Sequence, residues 1–186
     1  MAQHDDIKVE VLAAVRDFAA ATIIPGNAIA SISQLVRATD KVKLSGMDYW
    51  EREIHYQYSL HSRLPALNGA EWIKRAEFLS WLELISWDGY KRERTIRALV
   101  GAAPNAFFFL MLLRRLNDWV PQVRLAAREK LLEIARATEV EFVVAALCSA
   151  LVSWSSWGRI DCLDRQVILQ LVSEKSVAQA LIAKLI

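Results

Sequence analysis

The sequence has few residues that break regular secondary structure. Its 186 residues include only six Gly and four Pro, which argues against a loop-rich β fold because such folds need these residues at their turns. The two cysteines, Cys148 and Cys162, form no CxxC pair and no disulfide framework. We therefore expect a reducing, cytoplasmic environment.

Long hydrophobic runs and a large charge imbalance are also missing. The longest apolar stretches, 106–113 and 142–154, are shorter than the roughly 20 residues that a membrane-spanning helix needs. The net charge of +2 is too small to indicate nucleic-acid binding by itself. We therefore expect no membrane association, and the 54% of apolar residues predicts a folded chain rather than a disordered one.

Helical periodicity covers most of the chain. Apolar positions spaced by three and four, with capping and stop residues between them, predict about ten helices and no strand. Before Ser86 the expected helices cover about 5–23, 27–38, 47–64 and 68–85. From Ser86 onward they cover about 86–100, 106–116, 139–152 and 161–172, together with one helix capped by Asp118 and a last one capped by Ser176. Since the last helix is still apolar at Ile186, we expect either that it docks tightly or that the chain is a fragment of a longer protein.

Two stretches of the chain copy each other 32 positions apart. The first reads Ser86-Trp87-Asp88-Gly89-Tyr90-Lys91-Arg92, and the second reads Asp118-Trp119-Val120-Pro121-Gln122-Val123-Arg124. A copy at a fixed period of this length is typical of stacked helical hairpins. The sequence therefore predicts an all-α fold, a short α-solenoid of antiparallel helical hairpins.

The second copy carries the residues of a known repeat pattern. Its Asp-x-x-Pro-x-Val-Arg-x-x-Ala motif, from Asp118 to Ala127, resembles the first helix of a HEAT repeat. The resemblance covers about 86–172, and the spacing is shorter than the roughly 40–47 residues usual for such repeats, so the hairpins would be compact and HEAT-like. We expect one helical domain over 1–186, with non-repeat hairpins at 5–85 and HEAT-like repeats at 86–186. The alternative is an irregular all-α bundle in which the copy is a coincidence.

The repeat pattern gives four residues structural roles. Asp118 is expected to cap the helix of the second copy, and Pro121 to lie in its first turn, where the missing N–H costs little. Trp87 and Trp119 are expected to be buried anchors of successive hairpins. Arg92 and Arg124 would form contacts between repeats or at the surface.

The HEAT-like resemblance implies a scaffold without a reaction of its own. Proteins of this family hold a protein, or less often a nucleic acid, along a curved surface. We therefore expect a non-catalytic module whose partner is a protein or the remainder of a longer chain, with no cofactor and no metal. His55 and His61 lack a standard metal-ligand spacing, and the sequence leaves the oligomeric state open.

Basic residues are concentrated in the repeat. From Asp88 to Arg136 there are ten Lys or Arg against five Asp or Glu, which is +5, while the rest of the chain is −3. A basic stripe that faces phosphates would make DNA or RNA the alternative partner, whereas charges on a solenoid are more often solvated or link neighbouring repeats. The candidate interaction residues are Arg92, Arg94, Arg97, Arg114, Arg115, Arg124 and Arg128, with Lys91 and Lys130 beside them.

Two further features have competing interpretations. The helix at 106–116 is apolar nearly all round, so either neighbouring hairpins cover it or part of it forms an exposed groove for a partner. Trp157 and Asp161, with Trp119 and Arg124 one repeat earlier, resemble the aromatic and acidic residues of HEAT-like alkylpurine DNA glycosylases. Their spacing is unspecific and their order along the chain differs from that family, so packing is the favoured role of Trp157.

Overall fold

The computed structural model of the chain describes residues 2–20, 28–61 and 78–185. Within these ranges all regular elements are helical and none is a strand, which confirms the predicted all-α class. The chain divides into two compact units, Met1–Ile85 and Ser86–Ile186. The division falls at Ser86, the residue where the first copy of the repeat begins.

The first unit is built around a long helix. Helix α1 (Ala2–Ala20) packs against both α2 (Ala28–Asp40) and α3 (Met47–His61), and a short 3-10 helix (Leu44–Gly46) precedes α3. A further helix, α4, is described over 78–83. The buried side chains include Val11, Phe18, Leu35, Trp50, Ile54 and Phe78. The predicted helix starts at 27 and 68 lie outside the described residues.

The second unit is a stack of three helical hairpins. The first hairpin consists of α5 (Gly89–Ala98) and α6 (Ala106–Arg114), the second of α7 (Pro121–Ala137) and α8 (Val140–Val152), and the third of α9 (Cys162–Ser173) and α10 (Lys175–Leu185). Helices α5, α7 and α9 pack side by side in one layer, and α6, α8 and α10 pack side by side in the other. This layering confirms the predicted arrangement of stacked antiparallel hairpins.

Local side-chain and backbone features define the connections between helices in the second unit. Asn105 caps α6, because its side-chain oxygen accepts the Phe108 N–H at 3.2 Å. Gly101 has a φ of 75°, a left-handed conformation that L side chains rarely adopt, in the turn between α5 and α6. Helix α8 begins close to the predicted residue 139, but its N-cap, Glu139, makes no side-chain cap. The Thr138 hydroxyl instead donates to the Ile134 carbonyl and accepts the Ala103 N–H at 2.9 Å, which links two successive hairpins.

The apolar helix α6 is covered. All seven residues from Phe107 to Leu113 are buried, and α6 packs against α7 and α8. The alternative of an exposed groove along these residues is therefore wrong, and their side chains form the centre of the second unit's core.

Candidate interaction surface

A buried ion pair joins the first two hairpins. The Arg92 guanidinium, on α5, donates from Nε and Nη2 to the two carboxylate oxygens of Asp118 at 2.9 and 2.7 Å. Its Nη1 donates to the backbone carbonyls of Ser86 and Trp87 at 2.6 and 3.2 Å. The two charged side chains are only 3% and 2% exposed. Arg92 therefore links two repeats, which is one of the two roles predicted for it, and it is not available to a partner.

The second copy repeats part of this geometry. Arg124 Nη1 donates to the backbone carbonyl of Asp118 at 2.9 Å, six residues earlier, as Arg92 Nη1 does to Ser86. Donor and acceptor are both displaced by the 32-residue period, so the two copies share one local structure. They differ at Nε, because that atom of Arg124 is buried and has no hydrogen-bond partner, whereas in Arg92 it binds the next repeat. Arg124 thus bonds within its own repeat rather than to the following one.

Asp118 does not cap the helix of the second copy. The N-cap of α7 is Val120, with Pro121 in the first turn as predicted. Asp118 lies too far before Pro121 to cap, and its carboxylate accepts from Arg92, from Arg115 at 3.4 Å and from the Val120 N–H at 3.0 Å. The first copy does have an acidic cap, because the Asp88 side chain accepts the Tyr90 and Lys91 N–H groups at 2.9 and 3.3 Å.

The two repeat tryptophans are at the surface. Trp87 is 79% exposed and Trp119 is 66% exposed, so the prediction that they are buried anchors is wrong. Both belong to the loops that precede α5 and α7, and the buried Arg92 guanidinium donates to the Trp87 backbone carbonyl. The Trp119 ring lies over that guanidinium, with its centroid 5.6 Å from Cζ. Tyr90, in the first turn of α5, is 86% exposed. We call Trp87, Tyr90 and Trp119 the aromatic edge.

Most of the predicted basic stripe is engaged within the protein. Arg97 pairs with Glu93 and with Glu129, and Arg128 pairs with Asp161 at 3.1 Å and with Asp164 at 3.5 Å. Four more basic side chains donate hydrogen bonds within the protein. Arg92 and Arg115 bind the Asp118 carboxylate, Arg115 also binds the Met111 carbonyl, Arg124 binds the Asp118 carbonyl, and Lys130 binds the Glu133 carboxylate. Arg94 is exposed on α5 and Arg114 is partly buried at the end of α6. The candidate arginines therefore do not form one stripe that faces outward.

Five ion pairs among the described residues link successive hairpins in the same sense. They are Arg92–Asp118, Arg97–Glu129, Arg128–Asp161, Arg128–Asp164 and Arg136–Glu174. In each of them the cation belongs to the earlier hairpin and the anion to the later one. The basic pattern of the sequence indicated Arg92, Arg97 and Arg128 but not their acidic partners, although Arg97 and Glu129 stand one repeat period apart.

The N-terminus of α9 is organised by two acids. Asp161 caps the helix by accepting the Leu163 and Asp164 N–H groups at 2.8 and 2.9 Å, and Asp164 accepts the Asp161 N–H at 3.0 Å. The Asp164 N–H and the charge of Arg128 lower the pKa of Asp161, whereas burial raises the pKa of Asp164. Asp164 is completely buried, and its Oδ1 atom accepts no hydrogen bond.

The arrangement suggested by the glycosylase resemblance does not form. Trp157 is buried and stacks on Trp154, with ring centroids 5.7 Å apart, which matches the packing interpretation. Asp161 is occupied by the helix cap and by Arg128. The Trp157 ring and the Asp161 carboxylate are therefore both engaged in packing and capping, and they do not form an open site together.

The described residues offer neither a metal cluster nor a membrane-spanning segment. They contain no group of three or more His, Cys, Asp or Glu that could hold a metal ion. None of the described helices combines the length and apolar character needed to cross a membrane.

No protein-family model, curated protein or solved structure matches this chain.

Proposed function

We propose that this protein is a non-catalytic scaffold that binds a protein partner through its stacked hairpins, with the aromatic edge as the contact surface. The observation that supports the proposal is the exposure of Trp87, Tyr90 and Trp119 on two successive hairpins. Large aromatic side chains at a surface leave apolar area in water, and Trp and Tyr dominate the binding energy of protein interfaces.

A rigid base under the exposed rings supports the same role. Arg92 holds the backbone of Ser86 and Trp87, the carboxylate of Asp118 and the face of the Trp119 ring at once. Because these contacts order the two loops before any partner arrives, little entropy is lost in the loops on binding. A pre-ordered surface is the form expected of a scaffold.

The alternative of DNA or RNA binding has less support. Affinity for nucleic acid comes mainly from cations that are free to replace counterions on phosphates. Arg92, Arg97 and Arg128 are paired with carboxylates, which leaves fewer free cations than the local charge of the sequence suggested.

Family and location form part of the proposal. The assignment as HEAT-like is supported by the two helix layers and by Pro121 in the first turn of α7. A cytoplasmic location is supported by the free state of Cys148 and Cys162.

The test compares the native chain with Trp87→Ala/Trp119→Ala in cross-linking and affinity capture from the native host. We expect a protein that the native chain captures reproducibly and that the double variant loses. Tyr56→Ala is the matched control, because Tyr56 is 65% exposed and belongs to the first unit, whereas the aromatic edge belongs to the second. Equal capture by the double variant would refute the aromatic edge as the contact, and salt-dependent retention of a duplex in a gel shift would favour the nucleic-acid alternative.

A further inference from the structure

The first hairpin uses one side of α5 to hold the hairpin that follows it. Gly89 lies so close to the next hairpin that an added Cβ atom would be 2.8 Å from the Val120 side chain. Arg92 binds Asp118, and Ile96 is completely buried. These are the first, fourth and eighth residues of the helix, a spacing that places them on one side. We call the residues at these three positions of a hairpin's first helix its forward face.

The forward face of α9 is exposed. In α7 the eighth residue, Arg128, pairs with Asp161 at 3.1 Å, so this position again meets the following hairpin. The same three positions of α9 hold Cys162, Arg165 and Leu169, and all three residues are exposed, Leu169 to 64%. The third hairpin therefore leaves uncovered the side by which the first two hairpins hold a neighbour.

The second helix of the third hairpin extends this exposed area. Ile182, the eighth residue of α10, is 58% exposed, whereas the eighth residues of α6 and α8, Leu113 and Leu147, are 0% and 1% exposed. Helix α7 packs against both helices of the hairpin before it. A single helix in the equivalent place on the third hairpin can therefore contact α9 and α10 together. We call Arg165, Leu169 and Ile182 the open face.

The charges of the third hairpin indicate the character of the partner. All acids between Asp161 and Leu185 pair with arginines of the second hairpin, and they are Asp161, Asp164 and Glu174. The other charged residues of this range are basic and exposed, and they form no ion pair with a described residue: Arg165, Lys175 and Lys184. An approaching surface with acidic residues is therefore favoured over a basic one.

The two junctions within the chain show where such an acid would stand. Asp118 comes two residues before the N-cap of α7, and Asp161 is the N-cap of α9. Each acid that meets an arginine of a forward face thus lies at the start of the incoming helix. The first hairpin has Ser86 at the position of Asp118, so a second copy stacked on Arg165 through that hairpin offers no acid there. The position favours a different protein as the occupant.

We propose that the open face binds an amphipathic, acidic α-helix of another protein. An acidic residue at the start of that helix meets Arg165, and its apolar side covers Leu169 and Ile182, the arrangement in which amphipathic helices bind apolar surfaces. The inference goes beyond the aromatic edge, which belongs to the first two hairpins, and does not depend on it.

The test titrates the full chain into fluorescently labelled synthetic peptides and follows their anisotropy. The first peptide forms a helix, with Leu at spacings of three and four, Asp at its N-terminus and Glu beside the Leu stripe. The second has the same composition in an order without a stripe, and the third has Lys in place of the acids. We expect saturable binding of the first peptide and roughly tenfold weaker binding of the other two.

Substitutions on the open face locate the contact. Leu169→Gln, Ile182→Gln and Arg165→Glu should each weaken binding of the first peptide by roughly tenfold. Arg165→Glu should also bind the Lys peptide more tightly than the native chain does. The matched controls are Val152→Gln, at a site on α8 that is 82% exposed, and Arg94→Glu, at an exposed site on α5. Both should bind the first peptide as the native chain does.

Cys162 gives a readout at the site itself. Its thiol is free and exposed in the first turn of α9. In a Cys148→Ser variant, which removes the other thiol, a saturating amount of the first peptide should slow labelling of Cys162 by a thiol reagent. An unchanged rate would place the peptide elsewhere and overturn the inference.

The remaining outcomes separate this inference from the aromatic edge. Absence of binding, equal binding of the peptide without a stripe, or binding that survives Leu169→Gln and Ile182→Gln overturns the inference. Self-association in light scattering that these two substitutions abolish also overturns it, because the occupant is then a second copy. Binding that is lost only in Trp87→Ala/Trp119→Ala would support the aromatic edge and refute the open face, whereas loss only in the open-face variants supports the inference whatever becomes of the aromatic edge.

Discussion

Arg92 and Asp118, 26 residues apart in the chain, form a two-pronged ion pair with distances of 2.9 and 2.7 Å between hairpins. Water is almost excluded from both side chains. Because a guanidinium offers two parallel N–H groups to a carboxylate, the pair specifies orientation as well as attraction. The pair therefore sets the position of the second hairpin relative to the first.

Removal of one partner of this pair should be costly. Arg92→Ala leaves the Asp118 carboxylate buried with fewer donors, and we expect a loss of about 3–5 kcal/mol in the free energy of unfolding. Arg92→Lys should recover only part of it, since an ammonium group cannot bind both oxygens in the same plane. Urea unfolding followed by circular dichroism measures the change. The exposed Arg94→Ala is the control, and a loss below about 1 kcal/mol for Arg92→Ala would contradict a structural role for the pair.

Gly89 should resist substitution although it begins a helix. A Cβ atom there would lie 2.8 Å from Cγ2 of Val120, and the side chain of Val is stiff because it is branched at Cβ. We expect Gly89→Ala to destabilise the protein by about 1–3 kcal/mol. The double variant Gly89→Ala/Val120→Ala should recover most of this loss, which a double-mutant cycle of unfolding free energies would measure. Additive effects of the two substitutions would show that the close approach is not the cause.

Trp119 and Trp157 should respond differently to truncation. Trp119 is exposed and its defined contact is with the Arg92 guanidinium, so we expect Trp119→Ala to cost about 1 kcal/mol or less. Trp157 is buried against Trp154, so Trp157→Ala should cost about 3–5 kcal/mol. Thermal and urea unfolding of the two variants side by side provide the measurement. Similar losses for both would mean that Trp119 is packed after all.

The acids at the start of α9 should give opposite pH dependences. Burial raises the pKa of Asp164 above its ordinary 3.8, so the folded state favours the protonated carboxyl. The stability that Asp164 contributes is therefore fully present below pH 3.8, and it is lost as the pH rises through the folded-state pKa. The hydrogen bond from the Asp164 N–H and the Arg128 charge lower the pKa of Asp161, so its contribution is present above 3.8 and is lost as the pH falls through the folded-state pKa.

Two substitutions separate these contributions. Relative to the native chain, Asp164→Asn should gain stability as the pH rises from 3.8, because the buried charge never forms. Asp161→Asn should become less stable than the native chain as the pH rises to 3.8, because over this range the native carboxylate ionises and begins to stabilise the folded state. Urea midpoints at a series of pH values check both. Parallel pH profiles for the native chain and Asp164→Asn would show that this carboxyl does not titrate abnormally.

Local signals predicted the helices and the period predicted their stacking. Asn105 and Pro121 mark helix starts because their chemistry acts on the adjacent backbone. The 32-residue copy predicted the layers because equivalent apolar faces must be buried in equivalent ways. A helix-start residue acts on its own backbone and a repeat recurs at a fixed spacing, so both can be recognised in the sequence alone.

The candidate site was harder to predict. Aromatic composition suggested that Trp87 and Trp119 are buried, but both stand in loops before a helix, where the packed faces of α5 and α7 do not reach. Asp118 looked like a cap because acids are common there, whereas its main partner comes from 26 residues earlier in the chain. Such a contact depends on how two hairpins meet, which no local pattern contains.

The shared direction of the ion pairs between hairpins has a consequence for the order of the stack. The second hairpin receives Arg97 with its own Glu129, and it offers Arg128 and Arg136 to the acids that follow. It therefore carries a complementary charge on each of its two contact sides. The charges of this hairpin therefore distinguish its two neighbours, because it presents an anion to the hairpin before it and cations to the hairpin after it.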